Sequence, residues 1–218
     1  MIVAIDGPAG AGKSTVTRAL AKRLGFRFLD TGAMYRAVAL AAMRRGASWD
    51  DAAALGRLAQ EVQIEFAGCR VLLDGEDVTE EIRTPEVTAA IHYVADNPVV
   101  RQHLVEQQRR IARGGNIVTE GRDQGTVAFP DAECKIFLTA SPEERARRRV
   151  EDLRRQGQQV TWEEVLAHQN ERDQRDATRP VGRLMKAEDA IEVYTDGLTP
   201  EEVVARLEAI VKKAQAEK

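Results

Sequence analysis

Only two cysteines, Cys69 and Cys134, occur in 218 residues, and neither belongs to a CxxC pair or a Cys/His cluster. A disulfide framework and a zinc module are therefore excluded as expectations. No run approaches the roughly 18 consecutive apolar residues of a membrane span. The opening Met-Ile-Val-Ala-Ile-Asp-Gly is too short an apolar run for a signal peptide and lacks a basic leader. An excess of one charge is missing too: 32 basic against 35 acidic residues leave −3, which argues against a general nucleic-acid or membrane-surface binder. Internal repeats, low-complexity tracts and clean linkers are also lacking. Together these absences predict a reduced, soluble, cytoplasmic globular protein with neither nucleic acid nor membrane as partner. The length corresponds to about one and a half typical domains. It predicts one domain over 1–218 carrying an insertion, with a core large enough to need no staple.

What is present is strand–helix alternation. Residues 2–5, short and β-branched, read as a strand buried on both faces and ending in Asp6 and Gly7. A helix is predicted over 13–24 with Gly25 as its stop, then a strand at 26–29, a turn at 30–32 and an Ala-rich helix to about Arg45. Ser48 reads as the cap of a further helix, with Asp51 three residues on. Residues 63–66 and 71–73 read as short strands flanking Ala67-Gly68, and Asp74-Gly75 as another turn. Thr84-Pro85 opens a helix, and Asn97-Pro98 opens the next, which runs to Arg113. Strand cores return at 117–119 and 135–139, and 190–194 supplies the last strand. Ser141-Pro142-Glu143-Glu144, Thr161-x-x-Glu164 and Thr199-Pro200-x-Glu202 all read as capping boxes. The pattern predicts a doubly wound α/β fold with a small antiparallel-strand and helix insertion at about 60–95.

One segment carries specific chemistry. Gly7-Pro8-Ala9-Gly10-Ala11-Gly12-Lys13-Ser14 matches G-x-x-x-x-G-K-[ST], with a strand before and a helix after, and Thr15 follows in the helix. The glycines let amide hydrogens point at an anion, and the helix N-terminus adds partial positive charge. The pattern predicts a nucleoside-triphosphate-binding loop in which Lys13 should bridge the β- and γ-phosphates and Ser14 should ligate Mg²⁺. No guanine-reading N-K-x-D follows, and the strand at 117–119 leads into Glu120-Gly121-Arg122-Asp123 instead of an acidic pair. Arginines spread over several segments suit a kinase that grips a phosphorylated acceptor.

Four blocks carry a family resemblance: the 7–15 loop, Leu29-Asp30-Thr31-Gly32-Ala33-Met34-Tyr35-Arg36, Gly121-Arg122-Asp123-x-Gly125-Thr126-Val127, and Glu171-Arg172-Asp173-x-Arg175-Asp176. In order and spacing they resemble the bacterial cytidylate kinases, P-loop nucleoside monophosphate (NMP) kinases, over essentially the whole chain. The resemblance implies ATP as phosphoryl donor, Mg²⁺ as cofactor, CMP and dCMP as acceptors, and a monomer. It implies that the 60–95 insertion binds the monophosphate. Thr31 and Arg36 have a local reading as well, a helix N-terminus and a donor fork for the acceptor phosphate. Arg122 is placed on that phosphate, Asp123 and Arg101 on the cytosine, Arg172 and Asp176 on the ribose, and Arg175 and Arg179 near the phosphates. With Lys13, the arginines 122, 175 and 179 form the expected catalytic set. Two positions depart from the family pattern: His92 stands where a serine is usual, and Glu120 where an aspartate is usual.

From Arg145 to Arg183 there are ten arginines, no lysine and seven acids. Interleaved acids allow a pair of solvated, ion-paired helices. Phosphoryl transfer wants an arginine-bearing lid that excludes water, expected here at about 150–162 with its turn at 154–159 and Gly157 as breaker. Arg148 and Arg149 precede that lid without an assigned role. A kinase for UMP, dTMP or shikimate, or a P-loop ATP-binding switch, are the alternatives to a CMP kinase.

Overall fold

The computed structural model describes residues 1–155 and 157–217, and they group into two compact units. Gln156, inside the expected lid turn, lies outside the described residues. The first unit comprises Met1–Leu29, Gly114–Arg179 and Arg183–Lys218, and the second Asp30–Arg113 with Pro180–Gly182.

The chain opens with β1 (Ile2–Asp6), α1 (Lys13–Leu24) and β2 (Arg27–Asp30). Helix α1 ends as its sequence predicts: Gly25 takes φ 68° and its N–H reaches back to the Ala21 and Lys22 carbonyls, a cap that any side chain would strain.

The second unit follows with α2 (Thr31–Arg44), α3 (Ala52–Glu61), the strands β3 (Ile64–Ala67), β4 (Arg70–Leu73) and β5 (Glu76–Asp77), then α4 (Pro85–Ala95) and α5 (Pro98–Ala112). The three strands form an antiparallel sheet in the order β3-β4-β5. The expected 60–95 segment lies inside this unit, which begins thirty residues earlier, at Asp30. Two local readings change. There is no turn at 30–32: the Asp30 carboxylate accepts from the Ala33 N–H at 2.9 Å, so Asp30 is the cap and Thr31 is already helical. Likewise Asp51, not Ser48, caps α3, accepting from Ala54 N–H at 2.8 Å.

The first unit resumes with β6 (Ile117–Gly121), one π-helical turn (Gln124–Ala128), β7 (Cys134–Thr139), α6 (Pro142–Arg155), α7 (Trp162–Thr178), β8 (Ile191–Tyr194) and α8 (Pro200–Ala216). Its sheet has the order β2-β6-β1-β7-β8. The pairs β1/β6, β1/β7 and β7/β8 are parallel, which confirms the doubly wound α/β reading. Val3, Ile5, Val118, Ile136, Leu138 and Val193 from the strands pack with Val16 and Leu20 of α1 and with Val203, Val204 and Leu207 of α8. Thr161 and Thr199 form complete capping boxes with Glu164 and Glu202. The Ser141 box is only half made. Its hydroxyl caps Glu144 N–H, but the Glu144 carboxylate turns to Arg147 and Arg148, and Asp196 takes the Ser141 N–H instead. Among the described residues no helix is long and apolar enough to cross a membrane.

The register places the site. Ile5 pairs with Glu120 and Asp6 with Gly121, so β1 and β6 end level with one another. The glycine loop and the Arg122-Asp123 segment thus leave the same carboxyl edge of the sheet, where open α/β folds bind ligands.

Candidate active site

In the first unit the 7–15 loop folds as a cradle. Gly7, Gly10 and Gly12 have φ of 151°, 79° and 84°. A methyl on Gly7 would overlap the Leu138 carbonyl, so only a bare backbone passes there. The Pro8 ring is buried, Ala9 and Ala11 fill the turn between the glycines, and Ser14 and Thr15 are exposed in the first turn of α1. Lys13 is 7% exposed, and its ammonium donates to the Gly7 and Pro8 carbonyls at 2.7 and 2.6 Å. Burial holds that ammonium well below the ordinary lysine value. Arg122 and Arg172 push it the same way, against the carboxylates of Glu120 and Asp6.

Asp6 closes β1 and is 5% exposed. Its two oxygens accept from Gln124 N–H at 2.8 Å and Gly125 N–H at 2.7 Å, tying down the chain just after Arg122-Asp123. Burial pushes the Asp6 carboxyl up to about 6, and Asp123 adds to this, while the two N–H groups and Lys13 pull it down. Gln124 is fixed a second way, by the Thr119 hydroxyl donating to its side-chain oxygen at 2.8 Å. The π-helical turn that starts here presents Asp123, itself 5% exposed, at its head.

The arginine-bearing helices are held to the same unit. Arg122 Nε donates to Asp176 at 2.8 Å, and Arg179 donates to the other Asp176 oxygen at 2.6 Å. Burial alone would raise the Asp176 carboxyl, but Arg122, Arg179 and Arg172 outweigh it and hold it below the usual range. Arg172 and Arg175 are exposed on α7. Arg145, 3% exposed, donates to the Ala140 and Ala9 carbonyls at 3.1 and 3.0 Å and pairs with Asp173 at 2.6 Å, so it braces the cradle from α6. Arg148, whose role the sequence left open, bonds Glu144 and both the hydroxyl and carbonyl of Thr195.

The second unit holds the other expected acceptor residues. Thr31 is buried at the start of α2. One turn on, Arg36 pairs with Asp30 at 3.5 Å, and Arg83 pairs with the other Asp30 oxygen at 3.3 Å. Arg101 is 6% exposed, donates to the Ala95 carbonyl at 3.1 Å and lies 5.5 Å from the Tyr35 ring centroid. His92 is half-buried in α4, its Nδ1 2.7 Å from the Ala89 carbonyl.

A family model described as cytidylate kinase matches residues 3–213. The chain belongs to the cytidylate kinase family. It is 56% identical over 213 residues to a cytidylate kinase of Rhodopirellula baltica, spanning 98% of this chain and 93% of that one. To a cytidylate kinase of Pelotomaculum thermopropionicum it is 52% identical over 220 residues, spanning 99% and 97%. A solved structure of an uncharacterized protein from Eubacterium ventriosum shares the fold, with a TM-score of 0.53, 14% identity and coverage of 99% and 98%.

For this member of the cytidylate kinase family, the sequence reading passed over Asp6, Arg83, Gln124 and Arg145. Asp6 carried a usable signal, a carboxylate ending an apolar strand directly before a glycine loop. Arg145 carried none, being one arginine among ten. A Mg²⁺ site fits the residues present. Among the described residues no three acids, histidines or cysteines cluster to hold a metal. Mg²⁺ needs no such cage, since it binds through one or two protein oxygens plus phosphates and water. The exposed Ser14 hydroxyl at the head of α1 is of that kind.

Proposed function

We propose that this chain transfers the γ-phosphoryl group of ATP to CMP or dCMP, giving ADP and CDP or dCDP. The observation that carries the reading is the Lys13 cradle, with Arg122 and Asp123 leaving the neighbouring strand at the same sheet edge, in a chain of the cytidylate kinase family. The 7–15 loop and Lys13 hold the β- and γ-phosphates. Phosphate charge arriving there favours the protonated form of an ammonium that burial otherwise depresses. Ser14 would hold Mg²⁺, which when bound would add to the neutralisation of phosphate charge. An oxygen of the acceptor phosphate attacks the γ-phosphorus in line, the bond to the β–γ bridging oxygen breaks, and ADP leaves. The attacking oxygen is already ionised, so the chain needs neither a nucleophile nor a base. Its work is positioning and charge neutralisation by Lys13, Arg122, Arg175 and Arg179.

Thr31, Arg36 and Arg122 take the acceptor phosphate, and Arg172 and Asp176 the ribose. Asp123 accepts from the exocyclic amine of cytosine, where uracil would present a carbonyl, and Arg101 donates to the acceptor edge of the base. The 60–95 segment serves the monophosphate and 150–162 acts as the lid. ADP formation from Mg-ATP with CMP, dCMP, UMP, AMP, dTMP or no acceptor tests the reading. Turnover with CMP and dCMP well above the others is expected. A response independent of acceptor would overturn it and favour an ATP-binding switch.

A further inference from the structure

Arg101 sits in the second unit with its guanidinium enclosed on three sides. Nη1 donates to the Ala95 carbonyl at 3.1 Å, Cζ stands 5.5 Å from the Tyr35 ring centroid, and the third side is backbone, that of Gly182. Gly182 belongs to Pro180–Gly182, a short stretch far from Arg101 in sequence but part of the same compact unit. A methyl built on Gly182 would overlap Cζ, Nε and one terminal nitrogen of Arg101. Gly182 also has φ 60°, a conformation that suits glycine. Among the described residues no other glycine meets a functional side chain so directly.

We propose that Gly182 is a positioning residue for the Arg101 guanidinium and, through it, a determinant of cytosine over uracil. The inference rests on the reading that Arg101 contacts the base. A guanidinium delivers hydrogen bonds only in its own plane, and the ring, the carbonyl and the bare backbone together leave it one plane. The atoms that a side chain at 182 would meet are all at the far end of the Arg101 side chain, the part of an arginine that moves most readily. Substitution therefore displaces the guanidinium and leaves the rest of the unit in place.

The test is a double-mutant cycle on the full chain, using Gly182→Ala, Arg101→Ala and the pair, with steady-state kinetics for CMP, UMP and ATP. Gly182→Ala should raise KM for CMP about tenfold, within the range of one good base contact. It should lower the CMP-to-UMP ratio of kcat/KM by a similar factor. KM for ATP and kcat at saturating CMP should stay within about twofold. In the Arg101→Ala background Gly182→Ala should add nothing, because the group it displaces is gone. An equal CMP loss in both backgrounds would overturn the proposal, as would an unchanged KM for CMP in Gly182→Ala. If Gly182→Ala does not fold, recovery of folding in the pair supports the clash, and continued failure overturns it. Unchanged CMP kinetics in Arg101→Ala alone would instead remove the base-contact reading beneath it.

Discussion

Asp6 is the group whose titration the structure makes most measurable. Its carboxyl is 5% exposed and pushed from 3.8 up to about 6, chiefly by burial. Below pH 3.8 both folded and unfolded chains hold the proton, and Asp6 contributes no pH dependence. Between 3.8 and 6 the folded chain still holds a proton that the unfolded chain has released, so stability falls as pH rises. Above 6 the loss is complete, and two units at about 1.4 kcal/mol each make it about 3 kcal/mol. Asp6→Asn removes this dependence. It leaves one of the two N–H groups, of Gln124 or Gly125, without its carboxylate oxygen, at about 1–3 kcal/mol. The variant should therefore be close to the parent in stability at pH 7.5 and clearly weaker at pH 4.5. Stability of the parent minus that of the variant, from urea titrations followed by the fluorescence of Trp49 and Trp162, should fall by about 2 kcal/mol between those pH values. Carboxylates that titrate the other way, such as Glu144 held down to about 2 first by Arg147, occur in both chains and cancel. A difference independent of pH would refute the buried, charge-raised account of Asp6.

Lys13→Ala should fold normally, with stability within about 1 kcal/mol of the parent, because the two carbonyl bonds it loses are offset by removing a desolvated ammonium. Its turnover in a coupled ADP assay should drop at least about 100-fold, and near-normal kcat would sink the cradle assignment. Arg145→Ala should cost about 3 kcal/mol in urea denaturation, since it strips a buried guanidinium from Asp173 and from two carbonyls. It should also raise KM for ATP, because one of those carbonyls is Ala9 of the cradle. A stability loss under about 1 kcal/mol would show that the brace is dispensable.

What could be read from the sequence is what a few consecutive residues decide. The cradle is such a case. Its glycines stand where the backbone needs positive φ, its lysine follows at fixed spacing, and helix and strand flank it within fifteen residues. The complete capping boxes at Thr161 and Thr199 are equally local. Errors began where two local solutions competed. Ser48 and Asp51 are both good caps; Asp51 wins because the buried face of α3 starts only at Leu55, one turn beyond it. At Ser141 the fourth partner of the box was lost to arginines three and four residues along the same helix, and its N–H was rescued by Asp196, 55 residues away.

Arg101 shows where the limit lies in physical terms. Its charge predicts exposure, although Leu104 and Val105, three and four residues on, share its face of α5 and are buried with it. The groups that enclose it, Tyr35 and Gly182, stand 66 residues before it and 81 after it. Asp6 follows the same rule, because the amides it holds are 118 and 119 residues away. The loop that grips a phosphate is a local invention, since phosphate is met by backbone amides that a short turn can align. A base must be met by side chains held at a fixed angle, and rigidity of that kind comes from walls contributed by distant segments. Selectivity for the base is therefore expected to respond to substitutions such as Gly182→Ala that lie outside every motif, while the grip on the ATP phosphates should answer most strongly to changes within or directly beneath the cradle.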